Sequence, residues 1–403
     1  MISQDLSVQA MLKLMHYCES EEYKGWDPYD GLNSKLFQST PLKHWDIARL
    51  VLIQTMKRSP VNLRKLLLIP KMHNPKGIGL FLNGYCNLYR MCMSGETRFG
   101  TQEELLLRIN DLAELLISLK SEGYSGSCWG YNFDWQNRAF FLPSGTPTVV
   151  ATTFISYALM DAYDITGKSK YLKTALSSTQ FILNDLNRTE KEKGFIFSYS
   201  PFDTTRVYNA SLLGSRLLAR AYNYTNDDAL IDAARKSVIA CTDVQRNDGA
   251  WKYGEHEVQT WVDSFHTGYN LECISEYQKY SGDSSFQINI DKGMNFYLNH
   301  FFLDNGTPKY YDSKVYPIDI HAPAQFFVTT YRLNQLTKNR ELIEKVLSWT
   351  ISHMQNKKSG YFYYQLKKGI SSKIPYMRWA QAWMFYGLSF YLLNTNELNE
   401  TKG

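Results

Sequence analysis

The order of apolar and polar positions divides most of the chain into paired helical stretches. Residues 147–165 keep a helical period of about 3.6 residues, break at Thr166-Gly167-Lys168, and lead into a second stretch that reaches Leu186. The breaks between such partners contain Gly, Asn or Asp, which are typical of a helix end followed by a new amino cap. The sequence therefore predicts a series of helical hairpins. The same layout returns three times, at 208–224 with 227–243, at 264–280 with 284–302, and at 319–336 with 339–356.

A short glycine-aromatic motif follows each pair, and there the period changes to two. One copy is Gly194-Phe195-Ile196-Phe197, and later copies begin at Gly249, Gly306 and Gly360, with spacings of 55, 57 and 54 residues. An earlier mark, Trp129-Gly130-Tyr131, precedes Gly194 by 64 residues. Each repeating unit is therefore predicted to be a helix, a tight turn, a second helix and a short strand-like hairpin.

The two helices of a pair differ in composition, because the first is rich in small and apolar residues and the second carries more Lys, Asp and Asn. An inner wall packed on both sides and an outer wall facing water would give this contrast. Upstream, 75–94 and 101–121 supply one more pair, and 377–394 has no partner after it. A helix in 4–19 could pair with 377–394 and close the ring. The predicted fold is all-α, an (α/α)6 toroid (a six-hairpin barrel) with short aromatic β-hairpins between helix pairs.

Composition and charge limit the classes of molecule that the protein is expected to bind. Aromatic residues make up 15% of the chain, and Tyr and Trp favour places where an apolar face meets a polar ligand. The net charge is +5 without a long run of like charges, so no nucleic-acid partner is expected. The amino terminus lacks a secretory leader, and no apolar run is long enough to cross a bilayer. We therefore expect a cytoplasmic protein without stable membrane insertion.

Three segments carry a resemblance to a known group of proteins. CWGYNFDWQ at 128–136, DSFHTGYNLE at 263–272 and RWAQAW at 378–383 resemble uncharacterised members of the six-hairpin glycosidase superfamily associated with surface-polysaccharide biosynthesis. The resemblance implies a catalytic toroid over 75–403 that acts on carbohydrate. It leaves the reaction open, because the superfamily includes hydrolases, lyases and epimerases. Residues 1–74 depart from the generic layout and are expected to form a helical segment packed on the ring.

The junctions between each hairpin and the next inner helix should converge at one mouth of the ring, although about 55 residues separate them. Asp263 is placed to cap a helix, and His266 follows three residues later on the same face. Together they could move protons to or from a sugar. Asp319 and His321 stand at the equivalent place of the next repeat. The predicted catalytic residues are Asp134, Asp263, His266, Asp319 and His321.

Aromatic, amide and guanidinium groups at the same junctions are candidates for holding the sugar, since aromatic rings stack on its apolar face and Arg binds acidic groups. Simpler structural interpretations stay open: a core position for Trp129, an Asp134–Arg138 pair, and helix capping by Asn209. No metal-ligand spacing and no nucleotide-binding loop occurs, so neither a metal nor a cofactor is predicted. The predicted substrate-binding residues are Trp129, Tyr131, Arg138, Asn209, Tyr269, Arg378 and Trp379.

Three functions follow from these residues. The first is glycoside hydrolysis by the carboxyl groups of Asp134 and Asp263, with Asp319, Glu255 or Glu257 as replacements. The second is proton abstraction beside a uronate carboxylate, which would make the protein a polysaccharide lyase or a C5-epimerase. There His266 or a Tyr would be the base, and Asn209 with Arg138 or Arg378 would neutralise the acid group. The third is a non-catalytic glycan-binding or scaffold protein.

Overall fold

The computed structural model describes residues 2–136 and 141–400, and within these ranges the chain is mainly helical. Helix bounds agree with the sequence pattern to within a few residues, because each break carries its own cap, such as the left-handed Gly167 after one inner helix. The helices are α1 (Ile2–Ser20), α2 (Lys35–Gln38), α3 (Asp46–Arg58), α4 (Pro75–Met93), α5 (Gln102–Ser118), α6 (Val149–Thr166), α7 (Ser169–Gln180), α8 (Tyr208–Thr225), α9 (Asp228–Thr242), α10 (Ser264–Ser281), α11 (Gln287–His300), α12 (His321–Arg332), α13 (Arg340–Met354) and α14 (Trp383–Glu400).

The even-numbered helices from α4 to α14 form the inner wall, in which each packs on the next and α14 packs on α4. Helix α1 contacts both α13 and α14, so the first and last helices of the chain form the sixth hairpin. The predicted (α/α)6 toroid is therefore confirmed. A π-helical turn at Met377–Ala382 leads into α14, and another at Phe181–Asp185 extends α7.

The strand-like segments are shorter and less regular than the repeat suggests. Of the described glycine motifs, the one at Gly194 forms a regular hairpin, and the later ones form isolated bridges such as Phe302 with Pro308. One antiparallel pair joins the junction before α12 to the segment after α13, because Ile318 and Asp319 lie opposite Leu366 and Gln365. The strands are β1 (Trp135–Gln136), β2 (Phe141–Leu142), β3 (Arg188–Lys191), β4 (Gly194–Phe197), β5 (Ile318–Asp319) and β6 (Gln365–Leu366), paired β1 with β2, β3 with β4 and β5 with β6.

The repeated glycines mark where each unit touches the outer helix of the next unit. A Cβ atom at any of them would overlap a backbone carbonyl of that helix, and all four have positive φ. The last contact falls on α1, which shows that α1 occupies the sixth outer position. The glycine-to-carbonyl pairs, with the distance from the position that a Cβ atom would take to the carbonyl oxygen, are Gly194 with Lys236 (2.1 Å), Gly249 with Lys292 (2.2 Å), Gly306 with Lys345 (2.4 Å) and Gly360 with Lys13 (2.4 Å).

The contact at Gly306 is expected to be costly to disturb. Gly306 has φ +84° and Gly123 has φ +88°, but a Cβ at Gly123 would meet nothing within 4 Å. Both Gly→Ala changes force alanine into left-handed backbone, and Gly306→Ala also pushes on α13, so we expect it to lower the free energy of unfolding by about 1–3 kcal/mol more. Urea unfolding of the two variants measures the difference. Equal losses of unfolding free energy in the two variants would show that α13 moves aside without an energetic cost.

The interior of the barrel is divided into a charged half and an aromatic half. Arg216 and Glu272 are both buried and 2.8 Å apart, and the Arg216 guanidinium lies 3.9 Å from the centre of the Tyr157 ring. A second ion pair, between Arg220 and Asp161, extends this network toward the carboxyl ends of the inner helices. Unpaired, such groups would cost several kcal/mol each, roughly, so the network is held as a unit. The charged half lies toward the carboxyl ends of the inner helices, and the aromatic half lies at their amino ends, which we call the mouth.

The segment between α1 and α4 crosses this aromatic mouth. Its Asp27 carboxylate accepts two hydrogen bonds from Arg378, at 2.6 and 2.8 Å, and the Trp26 carbonyl accepts one from Met377 N at 3.0 Å. Within the segment, Asp30 pairs with the buried Arg64 at 2.8 Å. Helix α3 lies in this covering segment. None of the helices in the described part of the chain is long and apolar enough to cross a membrane.

Candidate active site

Asp263 and His266 form a carboxylate–imidazole dyad at the start of α10. Asp263 caps the helix, since its Oδ1 accepts a hydrogen bond from the backbone N of His266 at 3.0 Å. Its Oδ2 lies 2.7 Å from His266 Nδ1 and also accepts a hydrogen bond from Trp261 Nε1 at 2.9 Å. A carboxylate only accepts, so His266 carries its proton on Nδ1 and presents Nε2 away from Asp263. The His266 side chain is 19% exposed while that of Asp263 is fully buried, which is the arrangement of an oriented base.

Asp319 lies fully buried at the start of the next inner helix, and three groups donate hydrogen bonds to it. The backbone N of His321 (3.0 Å) and Trp379 Nε1 (2.8 Å) bind Oδ1, and Gln365 Nε2 binds Oδ2 at 2.5 Å. Burial raises the pKa of Asp319 to about 6 although these donors oppose the shift. Asp319 thereby fixes Trp379, whose ring stands 5.7 Å from that of Tyr29.

His321 and Tyr269 form a second, buried polar pair between the two aspartates. Tyr269 OH lies 2.8 Å from His321 Nε2, and His321 Nδ1 has no partner among the described residues. Burial, with the nearby cation Lys76, holds the pKa of His321 well below its usual value, so its imidazole is neutral at physiological pH. The ring of Phe265 stacks on His321 at 4.2 Å, and the His266 ring is 5.7 Å from that of Tyr269. These contacts bring His266, Tyr269 and His321 into one cluster.

Arg378 is present at the mouth but is already paired. Its two hydrogen bonds to Asp27 neutralise it, and its guanidinium lies 5.1 Å from the centre of the Tyr131 ring. Tyr131 in turn is 3.1 Å from Tyr199, hydroxyl to hydroxyl, and stacks on Phe133 at 5.3 Å. Arg378 therefore orders this aromatic wall, and an acidic substrate would have to compete with Asp27 for it.

Two lysines complete the mouth, and sequence reasoning missed both. Lys76 Nζ lies 4.4 Å from the centre of the Phe154 ring and 5.1 Å from that of Trp383, and no carboxylate pairs with it among the described residues. Burial lowers the pKa of Lys76 well below its usual value. Lys57 Nζ donates to Tyr29 OH at 2.7 Å, and although burial opposes the shift, Tyr29 together with the Asp319 carboxylate raises the pKa of Lys57. Neither lysine stands in a motif that its own neighbours in sequence would reveal.

Several other candidates lie at or near the mouth. Asp134 is partly exposed, and its Oδ1 accepts a hydrogen bond from Ser144 N at 2.8 Å. Asn209 is buried at the start of α8, and its Nδ2 has no partner in the described part of the chain. Both stay candidate ligands of a substrate.

The remaining candidates are placed differently. Trp129 is fully buried and its Nε1 donates to the Leu116 carbonyl at 2.7 Å, so its ring is part of the core and offers no face to a sugar. Arg138 lies outside the described residues. Glu255 is held by Lys191 and Arg206 at 2.5 Å each, so it is a paired carboxylate. Within residues 2–136 and 141–400, no group of three or more His, Cys, Asp or Glu side chains could hold a metal ion.

Comparison with known proteins finds similarity to solved structures and none to family models or curated sequences. No protein-family model and no curated protein matches the sequence. Among solved structures, the cellobiose 2-epimerase of Bacillus thermoamylovorans is similar at a TM-score of 0.63 and 13% identity, over 81% of this chain and 90% of that one. An unsaturated glucuronyl hydrolase specific for heparin is similar at 0.62 and 15%, over 99% and 98%.

A third similar structure is a GH76 α-mannanase from Bacteroides thetaiotaomicron, at a TM-score of 0.61 and 13% identity over 93% of this chain and all of that one (100%). At these identities the likeness concerns the backbone. All three proteins are (α/α)6 toroids, and the chain shares the fold of the six-hairpin glycosidase superfamily.

Proposed function

We propose that the protein is a carbohydrate-active enzyme that moves a proton to or from a carbon atom of a sugar, as lyases and epimerases do. The observation that carries the proposal is the dyad, in which buried Asp263 holds one ring nitrogen of the partly exposed His266 at 2.7 Å and leaves the opposite nitrogen for a substrate. A general base has to be oriented in this way to act on a fixed carbon. The likeness to a cellobiose 2-epimerase supports the same class.

The chemistry needs a carbon acid, which in a sugar is a carbon next to a carbonyl or carboxylate group. His266 Nε2 takes the proton from that carbon, and the electron pair moves onto the neighbouring carbonyl oxygen to form an enolate. Asp263 stabilises the imidazolium that results. Return of the proton on the other face gives an epimer, whereas loss of a β-oxygen substituent, which leaves with a proton, gives an unsaturated sugar. The Tyr269–His321 pair is within the same cluster and can supply that second proton.

The hydrogen bonds of the carboxylates favour proton transfer at carbon over glycoside hydrolysis by two carboxyl groups. Asp263 and Asp319 each accept hydrogen bonds from three donors, so neither has the open environment of a nucleophile or of a base that activates water. We propose that both act as positioning residues, Asp263 for His266 and Asp319 for Trp379.

Glycoside hydrolysis is the second candidate, and one observation favours it. Burial raises the pKa of Asp319 to about 6, and a general acid for a glycosidic oxygen needs such a raised pKa. In this alternative Asp134 or Asp263 is the other carboxylate. The likeness to an unsaturated glucuronyl hydrolase over 99% of this chain agrees with it.

For the substrate we propose a surface polysaccharide or an oligosaccharide derived from it, with uronic acid as one component. The partly exposed aromatic rings Tyr131, Trp135 and Tyr253 can contact a sugar ring through their exposed parts. Lys76, which pairs with no carboxylate among the described residues, can donate hydrogen bonds to an acidic group deep in the mouth, and Arg378 can bind such a group in competition with Asp27.

The experiment that tests these alternatives incubates the protein in deuterium oxide with uronate-containing oligosaccharides and with reducing disaccharides. Three signals are followed: deuterium at a sugar carbon, the absorbance of unsaturated products, and new reducing ends. Deuterium uptake or unsaturation supports proton transfer at carbon. New reducing ends without either signal, abolished in Asp319→Asn, would establish hydrolysis instead. Binding of the sugars without any of the three signals would favour the non-catalytic glycan-binding protein.

A further inference from the structure

The covering segment has an unusual surface. Residues 35–72 contain eight Lys or Arg and one acidic residue. Arg64 is buried against Asp30 and Lys71 pairs with Glu21, so six basic residues against one acidic residue remain, a net charge of +5. The same 38 residues hold nine of the twenty large hydrophobic side chains that are exposed in the described part of the chain. Charge and exposed apolar area are thus concentrated together in one short segment. The nine side chains are Leu36, Leu42, Trp45, Ile47, Val51, Val61, Leu66, Leu68 and Met72.

Helix α3 shows this arrangement most clearly. Ile47 (61% exposed) and Val51 (57%) are one turn apart and therefore share a face, whereas Ile53 and Met56 are buried on the opposite face. Trp45, at the amino cap, is 56% exposed. The helix is thus apolar both toward the protein and toward solvent, which is costly for a surface that stays in water.

A turn that is remote in sequence adds further exposed apolar and basic side chains beside α3. Ile370, with 76% of its surface exposed, is the most exposed of these hydrophobic side chains, and it stands in a turn between Lys368 and Lys373. Lys367 Nζ in this turn donates to the carbonyl of Arg58, the last residue of α3, at 3.1 Å. We call the exposed residues of 35–72 together with this turn the basic apolar surface.

The basic apolar surface borders the mouth. Lys57, next to Arg58, donates to Tyr29 OH in the mouth, and Gln365, two residues before Lys367, donates to the carboxylate of Asp319. Both parts of the surface are therefore joined directly to side chains of the candidate active site. Whatever binds the surface therefore lies beside the candidate active site.

We propose that the basic apolar surface docks on the anionic face of a lipid bilayer, with the mouth beside it. Lys and Arg attract acidic headgroups, while Trp, Leu, Ile and Val enter the headgroup boundary, which is the pattern of proteins that lie on a membrane without crossing it. A second copy of this chain fits less well, because a two-fold interface would place one strongly positive patch against another.

The kind of substrate that this docking implies rests on the proposed function. If the protein processes sugars, a mouth held at the bilayer is suited to a glycan that is carried on a lipid or anchored in the membrane. The docking itself does not depend on turnover.

Sedimentation with lipid vesicles tests the proposal on the full-length protein. We expect binding to vesicles of phosphatidylcholine mixed with phosphatidylglycerol, much weaker binding to phosphatidylcholine alone, and loss of binding as salt is added. Ile47→Ser should lower the partition coefficient about ten-fold, since one large apolar side chain no longer enters the boundary. The triple change Lys35→Gln/Lys65→Gln/Lys368→Gln should lower it by about five-fold for each charge removed.

Matched controls come from the far end of the ring. Ile288 on α11 is exposed to the same extent as Ile47, 61% of its surface, so Ile288→Ser should leave the partition coefficient unchanged, as should Lys236→Gln/Lys292→Gln. Equal binding to neutral vesicles, or equal losses in the two isoleucine variants, would overturn the proposal. So would absence of vesicle binding with self-association that Ile47→Ser abolishes, which would assign the surface to a dimer. His266→Ala should bind vesicles normally, so a failure of the proposed enzyme function is separable from a failure of docking.

Discussion

Replacing His266 with alanine is expected to lower the turnover rate by about 10²–10⁴-fold while leaving the fold intact. His266 is the one partly exposed member of the dyad, and its Nε2 is the atom that we propose takes the proton. The side chain contributes little to the core, since its anchoring contact is to the cap Asp263. The measurement is the initial rate of deuterium uptake or product formation at saturating substrate, with thermal unfolding followed in parallel.

The matched control is His353 on the outer helix α13, which is exposed and bonded only within its own helix turn. His353→Ala should leave the rate unchanged. Asp263→Asn should preserve the helix cap yet present an amide to His266, so the imidazole tautomer is no longer fixed and the rate falls with little change in the Michaelis constant. Full activity in His266→Ala would remove the dyad from the mechanism.

Replacing Arg378 with methionine is expected to lower the free energy of unfolding by about 3–5 kcal/mol. The change leaves the Asp27 carboxylate buried without the partner that gives it two hydrogen bonds. It also removes the cation from the Tyr131 face. Because Asp27 is in the covering segment and Arg378 precedes α14, the variant should also loosen that segment over the mouth, which hydrogen exchange of residues 21–34 would detect.

A double variant separates loss of the pair from exposure of a lone charge. Asp27→Asn/Arg378→Met removes both charges, so it should be more stable than Arg378→Met alone, and the difference between them gives the cost of the unpaired carboxylate. Arg90 is the comparison, because it pairs with Asp161 while its side chain is 36% exposed. Arg90→Met should lower the free energy of unfolding far less than Arg378→Met. Similar losses for Arg90→Met and Arg378→Met would contradict the special role of the buried pair.

The ring could be predicted from the sequence because its information is local and repeated. Helical period, caps and the spacing of Gly194, Gly249, Gly306 and Gly360 recur in every unit, and each glycine is required by its contact with a helix of the next unit. The dyad could be predicted for the same reason, since an amino cap and a residue three positions later always share a helix face.

The rest of the site depends on contacts between residues far apart in the chain. Asp27 and Arg378 are 351 positions apart, and nothing near either one in sequence identifies the other. Lys76 sits in an ordinary helix start, and only the closed ring brings aromatic rings of α6 and α14 around it. Trp129 stands in a motif of the mouth, yet its ring turns inward because its indole N–H finds the Leu116 carbonyl. Local patterns indicated positions along the chain, and the direction of each side chain depended on its packing.

The common direction of the six inner helices has an electrical consequence. Their amino ends all lie at the mouth, where Lys76, Asn209, His266 and His321 stand in the first turns, and each helix dipole carries roughly half a positive charge at that end. The dipoles converge on the buried side chains of the mouth, whereas those of the outer helices point the other way. A negative charge that develops on a sugar at the mouth is therefore stabilised by the backbone of the ring itself. Such a field would persist in a variant that lacks every catalytic side chain, and it would favour anionic ligands even there.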